Sequence, residues 1–217
     1  MESQPIVVQY AYFFLKAAAI TLGISFLSLF VGSIIGFLFS LLRISRNRVF
    51  SALTFAYAEV FRGTPLLVQL FLVYFGLPIV FHLEVSAFTT VAVSMTLYTA
   101  GYMTEIFRAA IQAVDRGQWD AAYSIGMTYP QALFKVVLPQ AMRIALPPTL
   151  GQFISILKDS SLASIIGFME LTKAGMAVRA ATSNTMLAFA IVTCLYFMIC
   201  YSLSIASRRV ELQLKKA

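Results

Sequence analysis

The chain has 217 residues, of which 60% are hydrophobic and only 12% are charged, and its mean hydropathy is +0.85. Soluble domains carry about 25% charged residues, so this composition excludes an ordinary soluble enzyme and predicts a protein that spans the bilayer several times. The formal net charge is +7, yet the basic residues lie between apolar runs and form no continuous stripe, which indicates that nucleic acid is not a partner.

Five stretches are long and apolar enough to form membrane helices, each of which needs about 20 residues to cross about 30 Å of hydrocarbon. We predict spans at about 11–42, 55–81, 85–108, 144–168 and 182–207. Gly32 and Gly36 in the first span have the spacing that lets two helices approach closely, and packing within the chain is the favoured interpretation. The predicted fold is therefore an all-α polytopic membrane protein with a single transmembrane domain, 1–217.

The stretch 115–143 is the core of the largest polar loop, because charges recur there too often for hydrocarbon. A short helical pattern begins at Trp119 and Gly126 can end it, since glycine adopts the left-handed turn at little cost. Thr128 starts a second helix that we expect to run toward Pro139. Such a helix pair offers a docking surface for a partner, although helices lying on lipid headgroups are the alternative.

Charge placement also predicts the orientation. With five spans, the loops after spans one, three and five share one side with the C-terminus, and they carry most of the basic residues. The positive-inside rule then places 115–143 and the C-terminus in the cytoplasm and the N-terminus outside, together with a loop at 170–182. The first apolar stretch follows no basic n-region, so we expect it to remain as a helix.

Several chemistries find no support in the residue types. Cys194 and Cys200 lie six apart in one apolar run and have neither metal nor disulfide spacing, and the single histidine, His82, lies in a loop. An intramembrane enzyme is therefore nearly excluded. The chain also lacks the G-x-x-x-x-G-K-[ST] phosphate loop, so it is not expected to hydrolyse ATP. A stand-alone channel or a secondary carrier stays open as an alternative.

Three segments carry a family resemblance. Asp120-Ala121-Ala122, Gly126 and Val136-x-Leu138-Pro139 closely resemble the EAA loop of bacterial ATP-binding-cassette importer permeases. The segments 59–69 and 153–162 are similar to the polar amino-acid branch of that family, the first through its Arg-Gly-Thr-Pro stretch. The chain departs from the family pattern at Asp120, where glutamate is usual, and at Val136, where isoleucine is usual, and both changes preserve chemical character.

This resemblance implies the type I ABC importer permease fold and a permease subunit that carries polar amino acids of the arginine, glutamine, histidine or cystine type. The implied location is the bacterial cytoplasmic membrane. The implied partners are a second permease subunit, identical or homologous, two cytoplasmic ATP-binding subunits, an extracellular amino-acid-binding protein and the lipid bilayer. ATP and Mg would be bound by the partner ATPase, and this chain would need no cofactor of its own.

By the same resemblance, the cytoplasmic loop acts as a coupling helix that sits in a cleft of the ATPase. A small Ala-Ala face permits close approach, and two aromatic side chains can serve as anchors of the kind enriched at interfaces. The predicted coupling residues are Trp119, Asp120, Ala121, Ala122, Tyr123 and Gly126.

Charges inside the apolar layer are the candidates for the substrate pathway, since they are costly there and usually face a cavity or a partner. If span four starts near Pro147, Asp159 lies roughly 18 Å into the membrane. We predict that Asp159 meets the ammonium of an amino acid, with Ser160 and Ser161 adding hydrogen bonds. The alternative is structural, with Lys158 and Asp159 each binding another span.

Two copies of a Glu-apolar-Phe-Arg pattern occur at the predicted cytoplasmic ends of spans two and three. Glu59 with Arg62 and Glu105 with Arg108 have the i,i+3 spacing of local ion pairs, which is the simpler interpretation. Lining of the cytoplasmic exit is the alternative. Gln69, in the segment that resembles the amino-acid branch, completes the candidate pathway residues.

Overall fold

The computed structural model describes residues 6–82 and 84–214, and every regular element among them is helical, which confirms the all-α prediction. The α-helices in this part of the chain are α1 (Ile6–Arg43), α2 (Arg48–Gly63), α3 (Leu66–Phe71), α4 (Leu77–Phe81), α5 (Ala87–Gln112), α6 (Arg116–Ser124), α7 (Tyr129–Ala132), α8 (Leu138–Asp159), α9 (Leu171–Thr182) and α10 (Thr185–Leu214). Turns of π-helix at Leu72–Gly76 and Leu133–Val137 join α3 to α4 and α7 to α8, and a 3-10 helix, Ser160–Ile166, follows α8.

Two helices in the described chain are long and apolar enough to cross a membrane on their own, Tyr10–Arg43 and Thr185–Leu214, and the number rises to four if each of two bent pairs counts as one span. Helix α5 covers the predicted span 85–108 and is long enough to cross the membrane, but it is less apolar than either of these two helices. It lies in the middle of the bundle and buries hydroxyl residues such as Thr99 and Thr104, which bond back to carbonyls on their own helix.

The predicted span 55–81 is a broken helix. Helix α2 starts earlier, at Arg48, and the chain bends by 102° between Gly63 and Leu66. Thr64 is extended, with φ −114° and ψ 144°, because Pro65 disfavours the helical conformation of the residue before it. Because α2 starts at Arg48, Glu59 and Arg62 do not lie near the start of this helix, as the sequence suggested, but about 16 Å and about 21 Å along it at about 1.5 Å per residue.

The second loop helix does not end at Pro139. Pro139 follows a π-helical turn by two residues, and Pro78 stands in the same relation to the other π-helical turn. A wider turn accommodates a ring that has no N–H to donate. The helix therefore runs without a stop from Tyr129 to Ile166, so the predicted span 144–168 is the outer part of a longer helix that begins in the loop.

The predicted outer loop at 170–182 is also a helix, α9, which packs into the bundle. Leu171, Ala174 and Val178 on α9 are buried against α1 and α10. The sequence-based topology counted this stretch as a loop because Lys173 and Arg179 interrupt its apolarity, but the two charges leave one face of the helix apolar.

Helix α1 packs most closely on α5, at the glycine pair. A Cβ atom on Gly32 would come within 2.8 Å of Thr99 Cβ, and one on Gly36 within 2.5 Å of Met103 Cβ. The interpretation that these glycines serve packing within the chain agrees with this geometry. One hydrophobic cluster, around Phe107, Val137 and Ala141, joins α5 and α8 at the loop end of the bundle.

Candidate functional site

Helix α6, in the polar loop at 115–143, has a defined start and a defined end. The Asp115 side chain caps the start by accepting a hydrogen bond from the Gly117 N–H at 2.7 Å. At the end, Gly126 has φ +81°, Gly126 N–H donates to the Tyr123 carbonyl at 2.9 Å, and Met127 N–H donates to the Ala122 carbonyl at 3.1 Å. These two bonds form a Schellman motif, in which the left-handed position favours glycine.

The start of the second loop helix is equally well defined. Thr128 and Gln131 form the predicted capping box, in which the Gln131 side chain accepts from the Thr128 N–H at 2.9 Å. Burial raises the pKa of the Tyr129 hydroxyl above its usual range, Tyr123 raises it further and Arg46 lowers it, so the hydroxyl stays protonated at neutral pH. Both ends of the turn between α6 and α7 are therefore fixed by local hydrogen bonds.

Trp119 holds the loop onto the bundle. Its ring stacks on Tyr129, with centroids 5.6 Å apart and planes at 16°, and it packs against the cluster around Phe107. A second link joins α6 to α8, since the Gln140 side chain donates to the Gln118 side chain at 3.0 Å. The structure thus places Trp119 between the loop and the bundle, whereas Tyr123 is 45% exposed.

The outer face of α6 is small and accessible. Asp120 and Ala121 are exposed, and Ala122 is buried against the rest of the loop. Beside the loop lies a cavity of 620 Å³ between α6 and the ends of α1 and α5, lined in part by Ile44, Asp120 and Tyr123. Of the six predicted coupling residues, Asp120, Ala121 and Tyr123 therefore have exposed side chains, whereas Ala122 is buried, Trp119 packs on the bundle and Gly126 ends the helix.

Asp159 is a half-buried carboxylate within the membrane helices. Among the described residues it forms no hydrogen bond and no ion pair within 4 Å, although it interacts electrostatically with Lys158 and with the Tyr98 hydroxyl. Tyr98 lies about 17 Å along α5 from its first residue, so this interaction puts Asp159 beside the middle of α5. An intramembrane carboxylate without a partner is costly, and such groups mark binding or transport sites.

The residues beside Asp159 take different surroundings. Ser160 is fully buried and donates to the Leu157 carbonyl at 2.8 Å, so its hydroxyl serves the end of α8. Lys158 is exposed, and with Ser161 it lines a separate cavity of 500 Å³ against Thr193 and Cys200 of α10. The structure therefore does not bring the four predicted residues at 158–161 to one surface.

Glu59 and Arg62 form the predicted i,i+3 pair, but a weak one. The Arg62 Nη1 to Glu59 Oε1 distance is 3.6 Å, and the Glu59 side chain is 57% exposed. An exposed pair of this kind contributes about 0–1 kcal/mol. The Arg62 guanidinium also lies over the Tyr102 ring, 5.6 Å from its centroid, and its N–H groups form no hydrogen bond with the described residues.

Glu105 belongs to a tighter cluster. Its Oε2 accepts from Arg108 at 2.7 Å, and Arg108 also donates to Gln112. On the other side, Glu105 Oε1 lies 3.8 Å from Arg43 Nε at the end of α1. The carboxylate of Glu105 is therefore shared by two arginines and ties α1 to α5.

Gln69 closes the break in the second span. Its amide nitrogen lies 2.9 Å from the Phe61 carbonyl, 3.2 Å from the Thr64 carbonyl and 2.8 Å from the Thr64 hydroxyl, while the side chain is buried. The last carbonyls of α2 have no helical partner, so the amide satisfies them where water has little access. This structural use of Gln69 was not evident from the sequence.

Sequence reasoning missed two groups. Glu170 is fully buried, and its carboxylate accepts from the N–H groups of Thr172 at 2.8 Å and Lys173 at 2.7 Å and from the Tyr196 hydroxyl at 2.8 Å. It thereby caps α9 and ties it to α10. A single acid just before a helical pattern was the available signal. The second group is Tyr98, whose ring packs at a tilt of 51° against Tyr102 on the same helix and whose hydroxyl interacts electrostatically with Asp159.

Comparison with known proteins adds independent findings. A family model described as the binding-protein-dependent transport system inner membrane component matches residues 28–216. The L-cystine transport system permease protein TcyB of Bacillus subtilis is 36% identical over 197 residues, which cover 90% of this chain and 84% of that protein. The arginine transport system permease protein ArtQ of the same organism is 36% identical over 203 residues, which cover 94% of this chain and 93% of that protein.

Solved structures resemble the fold closely. A crystal structure of an amino acid ABC transporter with histidines superposes with a TM-score of 0.89 at 34% identity, covering 97% of both chains. The MetNI methionine ABC transporter in an inward-facing conformation gives a TM-score of 0.82 at 19% identity, covering 95% of this chain and 98% of that one, and shares the fold.

Proposed function

The chain belongs to the family of binding-protein-dependent transport system inner membrane components, and from that membership we propose how its loop and its buried charges serve transport. The resemblance found in the motifs is confirmed, and the chain is a membrane permease subunit of an amino-acid ABC importer. It is a multi-pass protein of the cytoplasmic membrane, and transporters of this family work with ATPase and binding-protein partners.

The cytoplasmic loop is the coupling element in this proposal. The observation that carries it is the rigid attachment of α6, through the Trp119–Tyr129 stack and the Gln118–Gln140 hydrogen bond, to a helix that runs on into the membrane. A partner ATPase that grips the exposed face at Asp120, Ala121 and Tyr123 would move α8 with the loop. The family motif covers the same residues.

The ATPase is proposed to be a separate subunit, present in two copies, that binds ATP and Mg. A second permease subunit, identical or homologous, would complete the pathway, and large apolar side chains exposed on α1 and α10 are available to it or to lipid, Phe26 and Phe197 among them. We further propose that the N-terminus lies outside and the C-terminus in the cytoplasm, because the basic residues concentrate in the loops on the side of the C-terminus. An extracellular amino-acid-binding protein would deliver the substrate.

The substrate is proposed to be a polar amino acid of the arginine, glutamine, histidine or cystine type. Asp159 is the best-supported contact, since its carboxylate has no partner among the described residues and lies beside the middle of α5. A carboxylate in that position can meet the ammonium or another cationic group of an amino acid without first breaking an internal ion pair.

The test begins with the tagged chain, purified from its native membrane in mild detergent, and identification of the proteins that accompany it. The complex is then placed in proteoliposomes with the binding protein, and ATP-dependent uptake of labelled arginine, glutamine, histidine and cystine is measured. We expect a stoichiometric ATPase and ATP-dependent uptake of at least one of the four. Clean absence of an ATPase from an intact preparation would instead favour a channel or a carrier.

A matched pair of variants tests the loop. Ala121→Trp places a large ring on the exposed face of α6, and Ala52→Trp makes the same change on the exposed side of α2. We expect Ala121→Trp to lose the ATPase from the purified complex and Ala52→Trp to keep it. Normal ATPase recovery and stimulation in Ala121→Trp would contradict the coupling role.

A further inference from the structure

A groove of 480 Å³ runs along the cytoplasmic half of α5, from Tyr102 to Ala113, with Arg62 of α2 and Pro148 of α8 forming its other walls. Its volume falls in the range of ligand pockets, roughly 300–1,000 Å³. At about 1.5 Å per residue, the α5 wall is roughly 16 Å long. The groove therefore leads from mid-membrane toward the loop end of the bundle.

The charged side chains of this groove differ in how many hydrogen bonds and ion pairs they form. Glu105 and Arg108 are held by each other, and by Arg43 and Gln112. Arg62 has a single carboxylate neighbour at 3.6 Å and no hydrogen bond within the described chain, and its side chain is 35% exposed. Arg62 is thus the cation with free N–H donors in the groove.

The ring of Tyr102 lies against one side of Arg62. The guanidinium carbon is 5.6 Å from the ring centroid, and the guanidinium N–H groups form no hydrogen bond within the described chain. A planar guanidinium that packs on a ring and has unused N–H donors can bind a carboxylate through two parallel hydrogen bonds.

A second aromatic residue connects this group to Asp159. The Tyr98 hydroxyl lies 3.3 Å from the Tyr102 hydroxyl, the two rings are 4.9 Å apart, and Tyr98 interacts electrostatically with Asp159. The two tyrosines on one face of α5 thus lie between the Asp159 carboxylate at the end of α8 and the Arg62 guanidinium near the end of α2, whose only ion pair is the weak one with Glu59 among the described residues. This sequence of groups is complementary to a molecule that carries both a cation and a carboxylate.

We propose that Arg62, held on the Tyr102 ring, binds the carboxylate of the transported amino acid as it leaves Asp159 for the cytoplasmic groove. The proposal rests on the proposed function, and adds a carboxylate site on the inner half of the route. It also adds Tyr98 and Tyr102 as lining residues between the two charged groups.

The experiment uses the purified permease–ATPase complex without the binding protein, so that selection by the binding protein does not enter. The probes are the amino acid that the wild-type complex transports and its decarboxylated counterpart: agmatine for arginine, 4-aminobutanamide for glutamine, histamine for histidine or cystamine for cystine. We expect the wild type to bind the amino acid about 10-fold or more tightly than the counterpart, as loss of a charge-assisted bidentate pair predicts. Arg62→Gln should abolish that preference, and Arg62→Lys should restore part of it.

Arg48→Gln removes an exposed arginine from the other end of α2 and is the matched control, with an expected preference equal to that of the wild type. Should Arg62→Gln fail to assemble, Tyr102→Leu gives a second measurement, because loss of the ring should lower amino-acid affinity several-fold. Unchanged affinity in Tyr102→Leu, or an unchanged preference in Arg62→Gln, would overturn the carboxylate site. So would an equal loss in Glu59→Gln, which would mean that Arg62 acts through its ion pair.

Different results would refute the proposed function and the carboxylate site. A wild-type complex that transports none of the four amino acids would refute the proposed function. A wild-type complex that transports one of them, but binds its decarboxylated counterpart equally well, would refute the carboxylate site alone.

Discussion

The crossing of α1 and α5 at Gly36 gives the most quantitative prediction. In Gly36→Ala, the new Cβ would lie 2.5 Å from Met103 Cβ, 2.8 Å from the Thr104 nitrogen and 2.9 Å from the Met103 carbonyl carbon. Two of these three atoms belong to the backbone, so no side-chain rotation relieves the contact. The two helices must move apart.

The size of the effect follows from the distances. Carbon atoms pack at about 3.5–4.0 Å, so the helices must separate locally by about 1 Å, and a gap of 0.5–1 Å forfeits a quarter to a half of each dispersion contact that it opens. Overpacking of this kind costs about 1–3 kcal/mol. Better helix propensity of alanine offsets at most about 1 kcal/mol of that cost.

Gly23→Ala is the matched control, since it lies on the same helix and its new Cβ meets nothing within 4 Å. We expect the thermal unfolding midpoint in detergent, followed by size-exclusion chromatography, to fall for Gly36→Ala and to stay level or rise for Gly23→Ala. Equal midpoints for the two variants would refute the view that α1 and α5 meet at their backbones at Gly36.

Three further predictions concern the loop, the helix break and the intramembrane acid. Gly126→Asn should keep stimulated ATP hydrolysis, because asparagine tolerates the left-handed conformation, whereas Gly126→Val should lose about 1–2 kcal/mol locally and with it much of the stimulation; equal activity of the two variants would contradict the Schellman end. Gln69→Leu leaves the Phe61 and Thr64 carbonyls without a donor and should lower stability by about 1–3 kcal/mol for each carbonyl that stays unpaired, measured as a lower unfolding midpoint. Asp159→Asn should leave that midpoint unchanged or higher, while the KM for a cationic substrate rises about 10-fold or more, since a bond to a charged group is worth about 1.5–3 kcal/mol. A lower midpoint with normal transport would instead assign Asp159 a structural role.

The loop was predictable in its local features because those features depend on neighbouring residues. Capping by Thr128, the helix end at Gly126 and the presence of two helices are all set within a few positions of the chain. The direction in which the Trp119 side chain points was not predictable. Its ring turns toward Tyr129 and the bundle, and that choice depends on apolar partners on α5 and α8 that are distant in sequence.

The candidate pathway shows the same division. Asp159 and the Glu59–Arg62 pair could be named from the sequence, since charges are scarce in apolar runs. The sequence could not show that Asp159 has no partner among the described residues, or that Glu105 has two. The two Glu–Arg pairs have the same i,i+3 spacing but different surroundings. The partners of a charged side chain are therefore decided by which helices lie side by side.

By itself, the sequence determined that the chain lies in a lipid bilayer, that it is helical, that it carries the loop motif and that it belongs to this family. Composition, periodicity and motif spacing can all be read along the chain without knowledge of which segments meet. Only the tertiary structure decided that the second span breaks at Pro65, that 171–182 is a helix packed into the bundle, and that Glu170 and Gln69 serve as buried hydrogen-bond anchors. The packing of 171–182 and the Glu170–Tyr196 hydrogen bond arise from contacts between segments far apart in the chain, whereas the break at Pro65 and the Gln69 bonds are close in sequence and depend on the bend of the chain there. Inside a membrane each backbone group left without a partner must find one, and the sequence pattern alone does not specify which group supplies it.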